Sequence, residues 1–158
     1  RTGERVPSRL GPPPPPTSAA VSASMKGNRG KNTGPELRLR RLLREAGHPG
    51  YRLHWRKVPG HPDIAYPGKR VAIFVNGCFW HRCPYCHPGT PKSHGDFWKR
   101  KFDLNVERDA RKVQVLEEMG WWVVVVWECR LAEEPETVIG DIEAALGVAH
   151  TDYDTEHN

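Results

Sequence analysis

Cys78, Cys83 and Cys86 fall within nine residues, Cys-Phe-Trp-His-Arg-Cys-Pro-Tyr-Cys, and His87 follows at once. The only other cysteine, Cys129, lies just past the β-forming run Trp121 to Trp127. Thiolates grouped this closely, with a distant fourth, suit a tetrahedral Zn²⁺ ion. The Cys-x2-Cys half carries the zinc signature, the Cys-x4-Cys half is an unusual spacing, and His87 could replace Cys86 or Cys129. An ion held by four sulfurs has no open position, so it would hold the fold and not catalyse. Phe79, Trp80 and His81 stand between the first two cysteines, where a structural zinc site has no use for them. Two aromatics and an imidazole beside a metal knuckle, in a basic chain, point to nucleic acid.

Pro62-Asp63 offers a second chemistry. A carboxylate at the start of a strand, beside another strand ending in polar groups, can hold Mg²⁺, which takes one or two carboxylates plus waters and phosphate oxygens. The same dipeptide after Gly60 also reads as a turn. A Mg²⁺ nuclease of this kind would carry Glu-x-Lys or Asp-x-Lys on the following strand. Here that strand reads Val-Ala-Ile-Phe-Val-Asn, with neither acid nor lysine. His81 is the nearest replacement, since imidazole is the side chain suited to proton transfer near neutrality. The competing reading makes His81 a further metal-site residue or a packing imidazole.

The elements that must position these groups are legible. Thr33-Gly34-Pro35-Glu36 forms a capping box with an early proline, followed by Leu39, Leu42, Leu43 and Ala46 at helical spacing and ended by Gly47. Arg38, Arg40, Arg41 and Arg44 are expected on its other faces. Strands are predicted over Tyr51 to Trp55, Asp63 to Tyr66 and Arg70 to Val75, the last apolar throughout as a central strand would be. Asp96 to Met119 reads as a helix, interrupted near Leu104-Asn105, with a buried stripe of Val106, Ala110, Val113 and Leu116. Trp121 to Trp127 is expected as a buried strand and Pro135 to Leu146 as a last helix. A helix between two buried strands implies a crossover, and hence a mixed α/β sheet with helices on both faces.

The 158 residues suffice for one domain with a real core. Residues 1–24 are rich in Pro, Ser, Ala and Arg and contain a five-proline run, a composition expected to be disordered. The domain is placed at 25–147, with a flexible tail over 148–158. No stretch of about 18 apolar residues exists to span a membrane, and the N-terminus lacks an apolar signal core. Two disulfides in a secreted protein would also use four cysteines, but Cys83 and Cys86 sit too close for such a scaffold, and zinc in a reducing cytoplasm explains them better. The pI is near 9.2. Residues 25–57 hold ten Lys/Arg against Glu36 and Glu45, a net +8 that suits phosphates or, more plainly, a solvated basic face.

Gly60-His61-Pro62-Asp63, then Phe74 through His81, Phe97-Trp98, Asn105-x-x-Arg108-Asp109, Gly120-Trp121 and Val126 through Cys129 resemble the very-short-patch-repair (Vsr) DNA mismatch endonucleases. The likeness runs from about Met25 to Leu131. It implies a restriction-endonuclease-like fold of the PD-(D/E)XK type with a zinc knuckle. It also implies Mg²⁺-dependent nicking of one strand of duplex DNA beside a T:G mismatch. By this resemblance Asp63 is the Mg²⁺ carboxylate, the Val75 backbone carbonyl a second metal ligand, and His81 the base that activates water. Glu36 matches a glutamate near the active site, a role compatible with its capping box. Asn76 stands where the best-known member has a histidine, a departure that bears on any second acid/base role there. Phe79, Trp80 and Trp98 match aromatics that wedge into the base stack at the mismatch; a helix tryptophan would otherwise read as core. Met25, Lys101 and Asn105 fall where the family touches the mismatched pair. Asn105 and Asp109 share a helix face, and Asp109 could instead pair with Arg108 or Lys112. The family's knuckle often includes a histidine, whereas Cys78, Cys83, Cys86 and Cys129 offer an all-sulfur set here.

The resemblance further implies a monomer, cytoplasmic and nucleoid-associated, that could meet other mismatch-repair proteins. Two alternatives stay open on the sequence. One is a non-catalytic zinc module that binds DNA through its basic stretch and aromatic pair. The other is a nuclease of the same fold acting on matched DNA.

Overall fold

A computed structural model describes residues 31–156, with side-chain environments through residue 147. Met25 and the proline-rich extension lie outside the described residues. In chain order the elements are α1 (Gly34–Glu45), β1 (Arg52–Leu53), β2 (Ile64–Tyr66), a 3₁₀ turn (Pro67–Lys69), β3 (Val71–Asn76) and α2 (Cys78–His81). α3 (Gly95–Glu118), β4 (Trp122–Trp127), α4 (Glu128–Glu133) and α5 (Pro135–Glu156) follow. The strands form one sheet in the order β1-β2-β3-β4. β1, β2 and β3 pair antiparallel, whereas β3 and β4 run parallel, with Val71 opposite Trp122 and Asn76 opposite Trp127. The parallel pair requires a long connection, and α2 and α3 supply it.

Helices cover both faces, as expected, because successive residues of β3 point opposite ways. Val71 and Ile73 pack with Leu39 and Leu43 of α1, Leu131 of α4 and Val138, Ile142 and Leu146 of α5. Ala72 and Phe74 pack with Val58 and Leu116, the latter from α3. Among the described residues no helix is long and apolar enough to cross a membrane.

Five expectations need correction. α3 is one unbroken helix of 24 residues. Asn105 does not interrupt it, because its amide Nδ2 donates to the Trp80 carbonyl at 3.1 Å and not to its own backbone. The inward stripe of α3 is also different: Trp98, Phe102 and Leu116 are buried, while Val106 is 45 % exposed and Ala110 is exposed. Between the buried ends the inward positions are Asn105, Asp109, Lys112 and Val113, all half-buried. The middle of α3 turns polar groups inward because that stretch lines a cleft and not the core. β4 is an edge strand, with only Val126 buried and Trp122 at the surface. Finally, Arg40 is buried, 8 % exposed, where a solvated face was expected. α5 extends to Glu156, past the expected end at Leu146.

Candidate active site

A cleft of about 820 Å³ opens where the ends of β2, β3 and α1 meet the middle of α3, and its walls include Glu36, His54, Asp63, Asn76, His81 and Asp109. Three backbone features bring Asp63 to it. Gly60 adopts φ +83° and passes so close to α3 that a Cβ there would sit 3.1 Å from Lys112 Cγ. His61 follows in the left-handed region. The His54 and Trp55 N–H groups then donate to the Asp63 and Pro62 carbonyls, both at 3.0 Å, fixing the loop after β1 against the start of β2.

The Asp63 carboxylate reaches across to β3 and accepts the Val75 N–H at Oδ2, 2.8 Å away. Burial raises its pKa to about 6, with the Glu36 charge adding to the rise and the Val75 N–H opposing it. Glu36 projects from the first turn of α1, 2 % exposed. Thr33 Oγ1 accepts the Glu36 N–H at 3.4 Å, and Glu36 Oε2 accepts the Asn32 N–H at 2.9 Å, so the capping carboxylate reaches one residue further back than in the usual box. Burial raises the Glu36 pKa, and the Asn32 N–H and Arg40 pull it back. His54 stands 3.8 Å from Glu36, its pKa lowered by burial first and raised by Asp63. The ligand atoms of Glu36, His54 and Asp63 all lie within 4.8 Å of one another, a group able to hold a cation. Two carboxylates this close repel each other once ionised, and a cation relieves that repulsion.

His81 closes α2 on the other side of the cleft. Its Nδ1 lies 2.5 Å from Asp109 Oδ2. With Asp109 ionised and acceptor-only, Nδ1 carries the proton and Nε2 is left as the basic nitrogen. Asp109 therefore pairs with His81, not with Arg108 or Lys112. Asn105, one turn before Asp109 on α3, holds the α2 backbone through Trp80. The same docking is apolar: Phe79 packs edge-on against Trp80, Trp98 and Phe102 at 5.2, 5.8 and 5.3 Å between ring centres. Arg82 stacks 4.1 Å over Phe102 and donates to the Phe79 and Pro88 carbonyls, which ties down the loop beyond the knuckle. Phe79 and Trp80 are half-buried, whereas Trp98 is only 2 % exposed. In the DNA-free protein Trp98 is thus the ring behind the other two. Lys101 is half-buried on α3, one turn before Asn105.

Behind α2 the four cysteines converge as free thiols, all sulfurs within 4.8 Å of one another, and His87 is not among them. Cys83 and Cys129 are 3.6 Å apart, close to the ~3.8 Å edge of a sulfur tetrahedron around a metal with ~2.3 Å bonds. The Cys129 N–H points at Cys78 Sγ and the Tyr85 N–H at Cys83 Sγ, both at 3.4 Å, as donors to thiolates do. Burial pushes the Cys78 thiol up and raises Cys129 to about 11, with Cys83 adding to it. A tetrahedral cation would replace those protons and fits the set.

Sequence reasoning missed His54 and the inward turn of Arg40. A clue existed for Arg40, four residues after Glu36 on the same helix face. None existed for His54, which enters the cleft only because its left-handed backbone turns the chain there.

The sequence profile of the family described as "DNA mismatch endonuclease Vsr" matches residues 16–86. A type II nicking enzyme of Xanthomonas oryzae pv. oryzae is 44 % identical over 119 residues, covering 75 % of this chain and 82 % of that protein. The DNA mismatch endonuclease Vsr of Escherichia coli is 39 % identical over 114 residues, 72 % of each chain. A type II nicking enzyme of Lentzea aerocolonigenes is 35 % identical over 151 residues, covering 90 % of this chain and 86 % of its own length. With relatives of this identity and coverage, a cleft lined by clustered carboxylates and a carboxylate-bound imidazole, and a four-cysteine knuckle, the chain belongs to the Vsr family of DNA mismatch endonucleases and is a DNA endonuclease.

Proposed function

We propose that this endonuclease nicks one strand of duplex DNA beside a T:G mismatch in a Mg²⁺-dependent reaction, on a restriction-endonuclease-like core stapled by a structural Zn²⁺. The observation that carries the reading is that Asp63 and the His81–Asp109 pair line one cleft, next to the half-buried Phe79-Trp80 pair.

Asp63 and the Val75 carbonyl would hold the Mg²⁺ ion, with Glu36 beside them. Once bound, that ion supplies charge stabilisation to the phosphorane-like transition state and the leaving oxygen. The chain's own groups do the rest. Val75 N–H fixes one oxygen of Asp63 and leaves the other for the ion. Asp109 holds the His81 ring so that Nε2 takes a proton from water as the water oxygen bonds to phosphorus. The bond from phosphorus to the 3′ oxygen breaks and that oxygen takes a proton from solvent water, leaving a 5′-phosphate and a 3′-hydroxyl. Phe79 and Trp80 enter the stack at the wobble pair, where unstacking costs least, and Trp98 backs them. By the family resemblance, Lys101, Asn105 and Met25 would touch the mismatched pair. Cys78, Cys83, Cys86 and Cys129 hold the Zn²⁺.

Nicking of defined duplexes tests this. T:G heteroduplex should be cut on one strand with Mg²⁺, and other mismatches and matched DNA much less. Equal cutting of matched duplex would instead make the chain a nuclease of paired DNA.

A further inference from the structure

Arg40 is a permanent cation buried beside the carboxylate cluster, and nothing in the nicking reaction above uses it. It lies one turn after Glu36 on α1, 8 % exposed. One of its terminal nitrogens meets three acceptors: Asn32 Oδ1 at 2.9 Å, Glu36 Oε2 at 3.2 Å and His54 Nε2 at 3.2 Å. A guanidinium only donates and does not lose its charge. His54 Nε2 must therefore accept, which commits its lone pair to Arg40. That nitrogen has two hydrogens for three acceptors, so the acceptors crowd one positive atom as ligands crowd a metal ion.

Glu36 and His54 are also two of the three residues that, with Asp63, could hold a cation. We propose that the Arg40 guanidinium is the resident cation on the Glu36–His54 side of this cluster, so that no divalent ion enters between those two residues and the catalytic metal is held on the Asp63 side alone. The inference rests on the reading of Asp63 as the metal carboxylate. A second divalent ion drawn to Glu36 and His54 would have to displace a charge already seated there. Arg40 Nε is buried with no partner among the described residues, so losing Glu36 would strand the guanidinium further. Glu36 is then a positioning residue for Arg40, and His54 a hydrogen-bond acceptor and not a metal ligand.

Crystals of the zinc-loaded protein soaked in MnCl2 would decide this through the anomalous scattering of manganese. The wild type should show one manganese peak, beside Asp63, with Arg40 still on Glu36. Arg40→Met, similar in length but uncharged, should show a second peak between Glu36 and His54, and Mn²⁺ bound in solution, read by electron paramagnetic resonance, should rise from one to two per protein. Arg40→Lys, which keeps the charge, should stay at one. A peak between Glu36 and His54 in the wild type would overturn the proposal whether or not the variants fold, as would a folded Arg40→Met protein with no peak there. No peak beside Asp63 in the wild type would refute the reading of Asp63 itself, and the inference with it. A second peak leaves that reading standing.

Discussion

The four-sulfur knuckle draws three of its groups from nine consecutive residues and the fourth, Cys129, from the first turn of α4. Glu36, His54 and Asp63, by contrast, come from α1, the loop after β1 and the residue before β2. The first cluster is closed on itself, with backbone N–H groups turned to its sulfurs. The second opens on a cleft and holds its carboxylates in conflict, their pKa values raised. The knuckle sits where an ion would tie the start of α4 to α2. The carboxylates sit where burial raises their pKa values, a penalty that a cation beside them relieves. On the proposed function, stability and chemistry fall to neighbouring but separate groups, and α2 joins them, carrying Cys78 at one end and His81 at the other.

The largest effect expected from breaking this division is at the knuckle. Cys129→Ser, or stripping the metal, should cost more than about 5 kcal/mol, enough to unfold a domain of ordinary stability. Thermal melts paired with metal analysis would show it, and a folded protein free of zinc would remove the structural role. Next comes the dyad. His81→Ala should slow nicking by about 10²–10⁴-fold while leaving the melting transition close to wild type, as single-turnover assays and calorimetry on the same samples would report. Asp63→Asn should act in the opposite sense on stability. The folded metal-free protein keeps a proton on Asp63 that the unfolded chain has lost between its ordinary value of 3.8 and about 6. Its stability therefore falls as pH rises through that window. Removing the charge should return on the order of 1–3 kcal/mol at pH 7 without divalent ions, and urea titrations on both sides of the window would measure it. The smallest effect is at Thr33. Its long cap bond predicts a loss of about 0.5–1 kcal/mol for Thr33→Ala, read as a shift in the urea midpoint.

The contrast also explains what the chain discloses before it folds. The cysteine spacing displays the knuckle because three ligands are neighbours in sequence. β3 is legible because it is apolar along its whole length, and α1 because its cap is written in four residues. Asp109 is legible as part of the Asn105-x-x-Arg108-Asp109 motif and on a face with Asn105, but not as the partner of an imidazole. Its partner His81 is 28 residues away, and no local pattern encodes that contact. The inward face of α3 was misread for a related reason: a helix that borders a cleft turns polar groups inward, which defeats a rule based on hydrophobic spacing. Arg40 escaped because a charged residue on an amphipathic helix is ordinarily solvated, and only a buried glutamate one turn earlier makes the inside tolerable.

The most direct test is single-turnover nicking of a T:G duplex by Asp63→Ala protein that still melts like the wild type and still binds the duplex. The account predicts intact binding with no detectable strand cleavage at any Mg²⁺ concentration. Cleavage at the wild-type rate would show that the carboxylate at the head of β2 is not where this enzyme does its chemistry.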